Sequence, residues 1–196
     1  QTIVYIPHFM SWVVAASIFS MILSPTSAGL VNDVLMKLHL ITDNIYFLGD
    51  QKWWRFSYYI INVWKDTGWG TIIFMATLAG ISPELYEAAS MDGANRFQKM
   101  IYITLPALNN TIVTVLVLNL AKVMNLFESV FVLQNDAVIK VSDVLQTYIY
   151  TQTFNSGAIP DYGYTTAVGM FSSIISCILV LVCNRVSHKT RGRGIV

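Results

Sequence analysis

Three polar side chains recur at helical spacing near residue 120, within an otherwise apolar stretch. Asn119, Lys122 and Asn125 follow one another at intervals of three residues, which places them along one face of a helix. Amide and ammonium groups can bind the hydroxyl groups of a solute, which both donate and accept hydrogen bonds. With Glu128 and Ser129 beyond them, they predict a polar stripe that lines a path for a polar solute. Alternatively, Lys122 extends its charge from the end of its span to the membrane surface.

Two adjacent charged residues, Lys65 and Asp66, also interrupt an apolar stretch. A charged group inside a membrane span costs roughly 2.5–3.5 kcal/mol on insertion scales and usually faces a cavity or a partner. Because neighbouring residues point to different faces of a helix, at least one of the two is expected to pair with another helix. Both residues are further candidates for the path.

The sequence offers no chemistry for a metal, a cofactor or catalysis. Its histidines, cysteines and carboxylates do not have the spacing of a metal site. We interpret His8 and His39 as structural groups, and Cys177 and Cys183 as small buried apolar side chains. The 196 residues contain no Gly-x-x-x-x-Gly-Lys-Ser/Thr loop for ATP. The net charge of +1 gives no argument for nucleic acid.

The composition indicates an integral membrane protein. Charged residues make up 12% of the 196 residues, compared with about 25% in a soluble domain. Residues 1–32 contain no Asp, Glu, Lys or Arg, and that run is longer than the roughly 18 apolar residues that can cross a bilayer. The apolar runs lack the alternating polarity of barrel strands. The predicted fold class is therefore all-α, a polytopic bundle of membrane helices.

Four apolar stretches have the length of a membrane span, at residues 3–23, 57–81, 106–126 and 165–184. We expect them to form a single transmembrane domain over residues 1–196. The basic residues after the last stretch predict a cytoplasmic C-terminus by the positive-inside rule. These residues are Arg185, Lys189, Arg191 and Arg193.

The connecting segments predict shorter elements. Apolar residues at helical spacing between 31 and 38 indicate a short amphipathic helix. Short helices are also expected within 127–164, where apolar and polar stretches alternate. Four aromatic residues suit a membrane–water boundary, because an aromatic ring has one apolar and one wet side. They are Trp53, Trp54, Tyr58 and Tyr59.

The polar segment 82–105 lies between the second and third predicted spans. Because the C-terminus is predicted to be cytoplasmic and two spans separate it from this segment, the segment is expected on the cytoplasmic side. Ser82, Pro83 and Glu84 are the residue types that begin a helix: a cap, a first-position proline and an acid near the positive end of the dipole. Gly93 can adopt a positive φ and turn the chain. A second short helix is expected over 95–102, after which Leu105 and Pro106 re-enter the membrane.

The order Glu-Ala-Ala at residues 87–89, Gly93 and Ile-Thr-Leu-Pro at residues 103–106 resembles the signature loop of permease subunits of binding-protein-dependent ABC importers, which have the MetI-like fold. The resemblance implies that this loop docks on a cytoplasmic ATP-binding subunit. A plain cytoplasmic hairpin with an accidental Glu-Ala-Ala is the alternative. The residues assigned to ATPase coupling by resemblance are Leu85, Glu87, Ala88, Ala89, Asp92, Gly93, Leu105 and Pro106.

The resemblance also implies an assembly in the bacterial inner membrane. A second homologous permease subunit, two ATP-binding subunits and an extracytoplasmic solute-binding protein are the expected partners, and the lipid bilayer surrounds the spans. Permeases of this kind usually carry further spans upstream, so N-terminal spans are expected to be missing before Gln1. ATP hydrolysis would take place in the partners and not in this chain.

Other stretches resemble the LplB-like subunits that import oligosaccharides or polysaccharide fragments. They include residues 5–14, 63–69 and 126–133. The resemblance implies transport of a sugar; a permease of the same superfamily for another solute and an ion-coupled secondary transporter or channel are the alternatives. A membrane-embedded enzyme would need His, Asp or Glu converging from facing spans, and three of the four predicted spans offer almost none.

Overall fold

The computed structural model describes residues 2–26, 29–155 and 161–191, and these ranges contain helices and no strand. The helices are α1 (Thr2–Phe9), α2 (Trp12–Ile22), α3 (Leu30–Lys37), α4 (Gln51–Ala79), α5 (Pro83–Met91), α6 (Arg96–Lys99), a π-helical turn (Met100–Thr104), α7 (Leu105–Val123), α8 (Glu128–Leu133), α9 (Ile139–Ser142), α10 (Leu145–Phe154) and α11 (Tyr162–Arg191).

The helices belong to two compact units. Unit 1 comprises Gln1–Gly68 and Met124–Ile174, and unit 2 comprises Trp69–Val123 and Ile175–Val196. The long helices α4 and α11 each contribute to both units. The expectation of a single transmembrane domain stays a prediction.

Two helical stretches are long and apolar enough to cross a membrane, judged by length and composition in the described part of the chain. They are Arg96–Val123 and Tyr162–Arg185. A bent pair, Ile3–Phe9 with Trp12–Ile22, makes a third if it counts as one span. Helix α4 is long enough at 29 residues, or about 44 Å, but it is not among the apolar stretches. Its span at 57–81 stays a prediction.

The first predicted span is bent, not straight. Helices α1 and α2 meet at 114°. The Oγ of Ser11 accepts a hydrogen bond of 3.2 Å from the backbone N of Val14, and this cap begins a new helix. The Ser11 cap allows the chain to change direction within residues 3–23, and the single membrane span expected there stays a prediction.

The core of unit 1 joins buried residues of α2, α4 and α8. Trp54 and Tyr58 lie one turn apart on α4, their rings stack at 5.1 Å, and both are buried. Trp54 Nε1 donates to the carbonyl oxygen of Leu133 at 3.0 Å, and the Tyr58 hydroxyl lies 2.9 Å from Ser129 Oγ. The prediction that these two aromatics face a membrane boundary is wrong, because α8 covers them; Tyr59 remains exposed.

The connector between α2 and α4 has its own structure. The amphipathic helix expected there is α3, which confirms that prediction, and α8, α9 and α10 confirm the short helices expected within 127–164. Asn32 is fully buried, and its side chain links two parts of the connector by hydrogen bonds. Its amide donates to the carbonyl oxygens of Ser24 and Ile45, and its Oδ1 accepts from the backbone N of Ile45.

In unit 2, the helix that begins at Arg96, within the polar segment, runs without a break into α7. The run Arg96–Val123 has 28 residues, which is about 42 Å at 1.5 Å per residue and exceeds the roughly 30 Å of a hydrocarbon core. The predicted short helix over 95–102 begins as expected, after the Asn95 cap, but the prediction that it is short is wrong, because it continues into α7. Pro106 is accommodated because a π-helical turn directly precedes α7, and such a turn relaxes the regular hydrogen bonding that a proline disrupts.

Helix α1 approaches the backbone of α4 at Gly68. A Cβ at this position would lie 2.0 Å from the carbonyl oxygen of Val4, a distance that real contacts do not reach. Two residues further along α4, a Cβ on Gly70 would meet no heavy atom of the described chain within 4 Å. The two glycines thus have the same helical setting and opposite surroundings.

We predict that Gly68→Ala destabilises the subunit by about 1–3 kcal/mol, because the added methyl group forces α1 away from α4. Gly70→Ala is the matched control and should leave stability unchanged or raise it by about 0.5–1 kcal/mol, since alanine favours a helix interior. Thermal unfolding of the detergent-solubilised full-length subunit measures both effects. Equal melting temperatures for the two variants would contradict the close approach of α1 and α4.

Candidate functional site

The candidate coupling site is a helical hairpin that begins at Ser82. The Ser82 side chain accepts a hydrogen bond of 3.3 Å from the backbone N of Glu84, and Pro83 occupies the first position of α5. Glu84 adds a negative charge to the first turn, where the helix dipole is positive. The start of α5 is thus the one that the sequence predicts.

Helix α5 ends in a Schellman motif, a paired hydrogen-bond arrangement that closes a helix C-terminus. The backbone N of Ala94 donates to the carbonyl oxygen of Ala89 at 2.9 Å, and that of Gly93 donates to Ser90 at 3.1 Å. Asp92 is the C-cap, and Gly93 follows it with a φ of +77°. Glycine adopts this left-handed conformation without the steric cost that a side chain brings, so Gly93 sets the direction of the turn.

The second arm of the hairpin begins with a capping box. Asn95 Oδ1 accepts from the backbone N of Gln98 at 2.9 Å, and Gln98 Oε1 accepts from the backbone N of Asn95 at 2.8 Å. Helix α6, the π-helical turn and α7 follow as one continuous rod. Leu105 and Pro106 therefore lie within a helix, and both are exposed in this chain.

The tip and one face of the hairpin expose apolar side chains. Met91 is 89% exposed and Phe97 is 65% exposed, and Leu85 is also exposed. Glu87, Ala88 and Asp92 are exposed as well, whereas Ala89 is half-buried. The predicted coupling residues thus include an accessible carboxylate beside a small residue and an apolar side chain, which is a surface suited to a protein partner.

Four residues outside the predicted set link the two arms. The Tyr86 hydroxyl lies 2.9 Å from Thr104 Oγ1, and Lys99 Nζ donates to Ser90 Oγ at 2.6 Å. Sequence reasoning missed these bonds because their partners are 18 and 9 residues apart. The signal available in the sequence was that Tyr86 and Ser90, two polar residues, stand one turn apart and therefore on the same face of α5.

The charged pair on α4 binds the end of α1. Lys65 is 5% exposed and its Nζ donates to the carbonyl oxygen of His8 at 3.0 Å. The same ammonium lies 5.1 Å from the ring centroid of Trp12, within the range of a cation–π contact. Asp66 is 60% exposed and its Oδ1 lies 3.3 Å from His8 Nδ1. The expected pairing with another helix is confirmed.

This contact gives Lys65 a structural role. The last carbonyl groups of a helix have no partner within that helix, and a positive charge is favourable there. Lys65 supplies both a donor and a charge to the end of α1, next to the bend. Whether Lys65 and Asp66 also line a translocation path stays a prediction.

The polar stripe predicted over residues 119–125 is not a single helix face. Helix α7 ends at Val123, and Asn125 lies in the turn beyond it. Its Oδ1 accepts from Gln146 Nε2 at 3.4 Å. The stripe prediction is therefore wrong for Asn125, because the helix stops before it. Asn119 lines a shallow apolar groove of about 390 Å³ in unit 2, and Lys122 is exposed.

The remaining candidates have other surroundings. Ser129 is buried beside Tyr58, so it does not extend a solvent-facing stripe, although Glu128 is exposed. Cys177 is exposed and Cys183 half-buried, so burial is a wrong expectation for Cys177; α11 buries little of its surface inside this chain. No group of three or more His, Cys, Asp or Glu in the described ranges could hold a metal ion.

Comparison with known proteins identifies the family. A model of the family described as binding-protein-dependent transport system inner membrane component matches residues 1–192. The chain belongs to this family. The prediction of a permease subunit with the MetI-like fold is confirmed, and the family is one of inner membrane transport components.

Two curated relatives come from Bacillus subtilis (strain 168). The protein LplB is 40% identical over 196 residues, which are 100% of this chain and 60% of LplB. The polygalacturonan/rhamnogalacturonan transport system permease protein YteP is 39% identical over 196 residues, again 100% of this chain and 59% of YteP. The chain thus spans about three fifths of the length of these relatives.

Solved structures agree with the fold. A chain from a bacterial alginate ABC transporter, in complex with an alginate pentasaccharide-bound periplasmic protein, superposes with a TM-score of 0.92 and 36% identity. The match covers 100% of this chain and 66% of that chain. This structural match confirms the prediction of an all-α fold.

We predict that Lys65→Met destabilises the subunit by about 1.5–3 kcal/mol, because it removes a charged hydrogen bond to the end of α1. Lys65→Arg should retain most of the stability, since it keeps a charged donor. Lys122→Met, on an exposed lysine, is the matched control and should change stability by less than about 0.5 kcal/mol. Thermal unfolding of the solubilised full-length subunit measures all three. An unchanged melting temperature for Lys65→Met, with an altered transport KM, would instead favour a path-lining role.

Proposed function

We propose that this chain is the membrane-spanning permease subunit of an ABC importer for a sugar, an oligosaccharide or a polysaccharide fragment. It forms half of the translocation path together with a second homologous permease. The hairpin over 82–105 couples closure of two ATP-binding subunits to the alternating access of that path. The observation that carries the proposal is this rigidly capped, exposed hairpin between helices of membrane length, in a chain of the transport-component family.

The surface of the hairpin supports docking on a protein. Met91 and Phe97 expose large apolar side chains at its tip, and apolar groups of this size are usually covered when they cluster. Glu87 and Ala88 stand about one turn before Met91 on α5. An exposed carboxylate next to an apolar patch favours a partner groove with a basic residue, where the ion pair fixes the register of docking more than it adds affinity.

The charge distribution supports a cytoplasmic position for the hairpin. Basic residues follow the last apolar stretch, from Arg185 onward, and such residues stay on the cytoplasmic side. With spans at α4, α7 and α11, the hairpin lies on the same side as that basic end. ATP-binding subunits occupy this side, and ATP hydrolysis takes place in them.

A carbohydrate substrate is supported by the relatives. YteP is named as a permease of a polygalacturonan/rhamnogalacturonan system, and the structural neighbour belongs to an alginate transporter. These names concern those proteins, and both substrates are polysaccharides. We therefore assign this chain a carbohydrate substrate and an extracytoplasmic solute-binding protein that delivers it.

We predict that Glu87→Arg and Gly93→Val each reduce the retained ATP-binding subunit at least about tenfold, which corresponds to 1.4 kcal/mol. Glu87→Arg reverses the charge at the docking face, and Gly93→Val strains the left-handed turn that aims α5. Asparagine tolerates that conformation, so Gly93→Asn is the matched control and should retain the ATPase. Co-purification of the full-length subunit with its partner permease and ATPases measures the stoichiometry.

An ATPase that never co-purifies with the wild-type complex contradicts the importer assignment and favours an ion-coupled secondary transporter. Equal retention in the wild type, Glu87→Arg and Gly93→Val contradicts docking through this hairpin. Loss of the ATPase from Gly93→Asn as well as Gly93→Val would show that the left-handed turn is not what positions α5.

A further inference from the structure

Helix α5 has little to hold it against the rest of the chain. No residue of this helix is buried, so it has no apolar core of its own. Its connection to the second arm passes through Gly93, where two backbone hydrogen bonds close the turn. Glycine resists backbone rotation less than other residues do, so contacts beyond the turn must add to the fixed orientation of α5 relative to the rod that continues into α7.

Two hydrogen-bonded links supply that orientation, and they form a closed ring. Thr104 Oγ1 donates to the carbonyl oxygen of Lys99 at 3.4 Å, so the Tyr86 hydroxyl is the donor to Thr104 at 2.9 Å. In the other half, Lys99 Nζ donates to Ser90 Oγ. Ser90 Oγ in turn donates to the carbonyl oxygen of Tyr86 at 2.7 Å. The ring thus begins and ends on Tyr86.

The two halves of the ring differ in exposure. Tyr86 and Thr104 are half-buried, whereas Ser90 is exposed. A charged bond at an exposed site competes with water and is worth little. The bond between the two hydroxyl groups of Tyr86 and Thr104, here called the hydroxyl bridge, is better shielded from water and therefore the stronger constraint.

The π-helical turn places Thr104 where the bridge can form. The backbone N of Leu105 donates to Met100, five residues earlier, so this turn is wider than a regular α-turn. Thr104 is the last residue of the turn and stands directly before α7. A displacement of α5 therefore reaches the membrane helix at its first turn.

We propose that Tyr86 and Thr104 are positioning residues that transmit the movement of α5 to α7. The inference rests on the proposed function, since it assumes an ATPase that moves the hairpin. With the hydroxyl bridge intact, α5 and the rod that begins at Arg96 move as one body. Without it, α5 pivots at Gly93, and closure of the ATPase displaces the hairpin without displacing the membrane helix.

The experiment uses the full-length complex in proteoliposomes, with its binding protein and a transported sugar. Tyr86→Phe and Thr104→Val each remove one hydroxyl group of the bridge, and Thr104→Ser keeps it. Thr111→Val is the matched control. Thr111 lies on α7, further along the same rod and outside the hairpin, and its hydroxyl group lies 2.8 Å from that of Thr77 on α4. ATPase stoichiometry, ATP hydrolysis and sugar uptake are measured together.

We expect Tyr86→Phe and Thr104→Val to retain the ATPase and to hydrolyse ATP, while sugar taken up per ATP hydrolysed falls about fivefold, the effect of one hydrogen bond. Thr104→Ser and Thr111→Val should stay near the wild-type ratio. An unchanged ratio in Tyr86→Phe and Thr104→Val overturns the inference, as does an equal fall in Thr111→Val. A wild-type complex without an ATPase contradicts the proposed function itself.

Discussion

A helix that stops leaves backbone N–H and C=O groups without partners, and an apolar environment provides no water to satisfy them. This chain interrupts its helices at several places, and at the bend between α1 and α2 particular side chains supply the missing bonds. Ser11 caps the start of α2, and Lys65 donates to the end of α1. The architecture depends on these closures, because each one allows a change of direction without an unsatisfied polar group.

The hairpin over 82–105 uses the same solution on a polar segment. The Schellman motif closes α5, the capping box of Asn95 opens the next helix, and Gly93 provides the turn between them. The turn sets where α5 points, and the hydroxyl bridge sets how firmly it is held. Orientation and stiffness thus come from different residues, so a substitution can change one without the other.

Much of the local structure could be predicted from the sequence. Residue types at helix ends have strong preferences, so the start of α5 after the Ser82 cap and its end before Gly93 followed from the residues at those positions. The bend between α1 and α2 did not, because an apolar run with serines at 11, 17 and 20 is equally compatible with a straight helix. The hydroxyl bridge and the burial of Trp54 could not be predicted either, since both depend on residues that are distant in the sequence.

The central claim, that the hairpin contacts an ATP-binding subunit, is tested most directly by site-directed cross-linking in the assembled complex. Ala88→Cys is introduced on the exposed face of α5, after Cys177 and Cys183 are replaced by serine, and a reagent that joins a thiol to a lysine amine of the partner is added. Leu38→Cys, at an exposed site in the connector before α4, is the control. The account predicts a cross-link from Ala88→Cys to the ATP-binding subunit and none from Leu38→Cys. A cross-link to the ATPase from Leu38→Cys alone would contradict it.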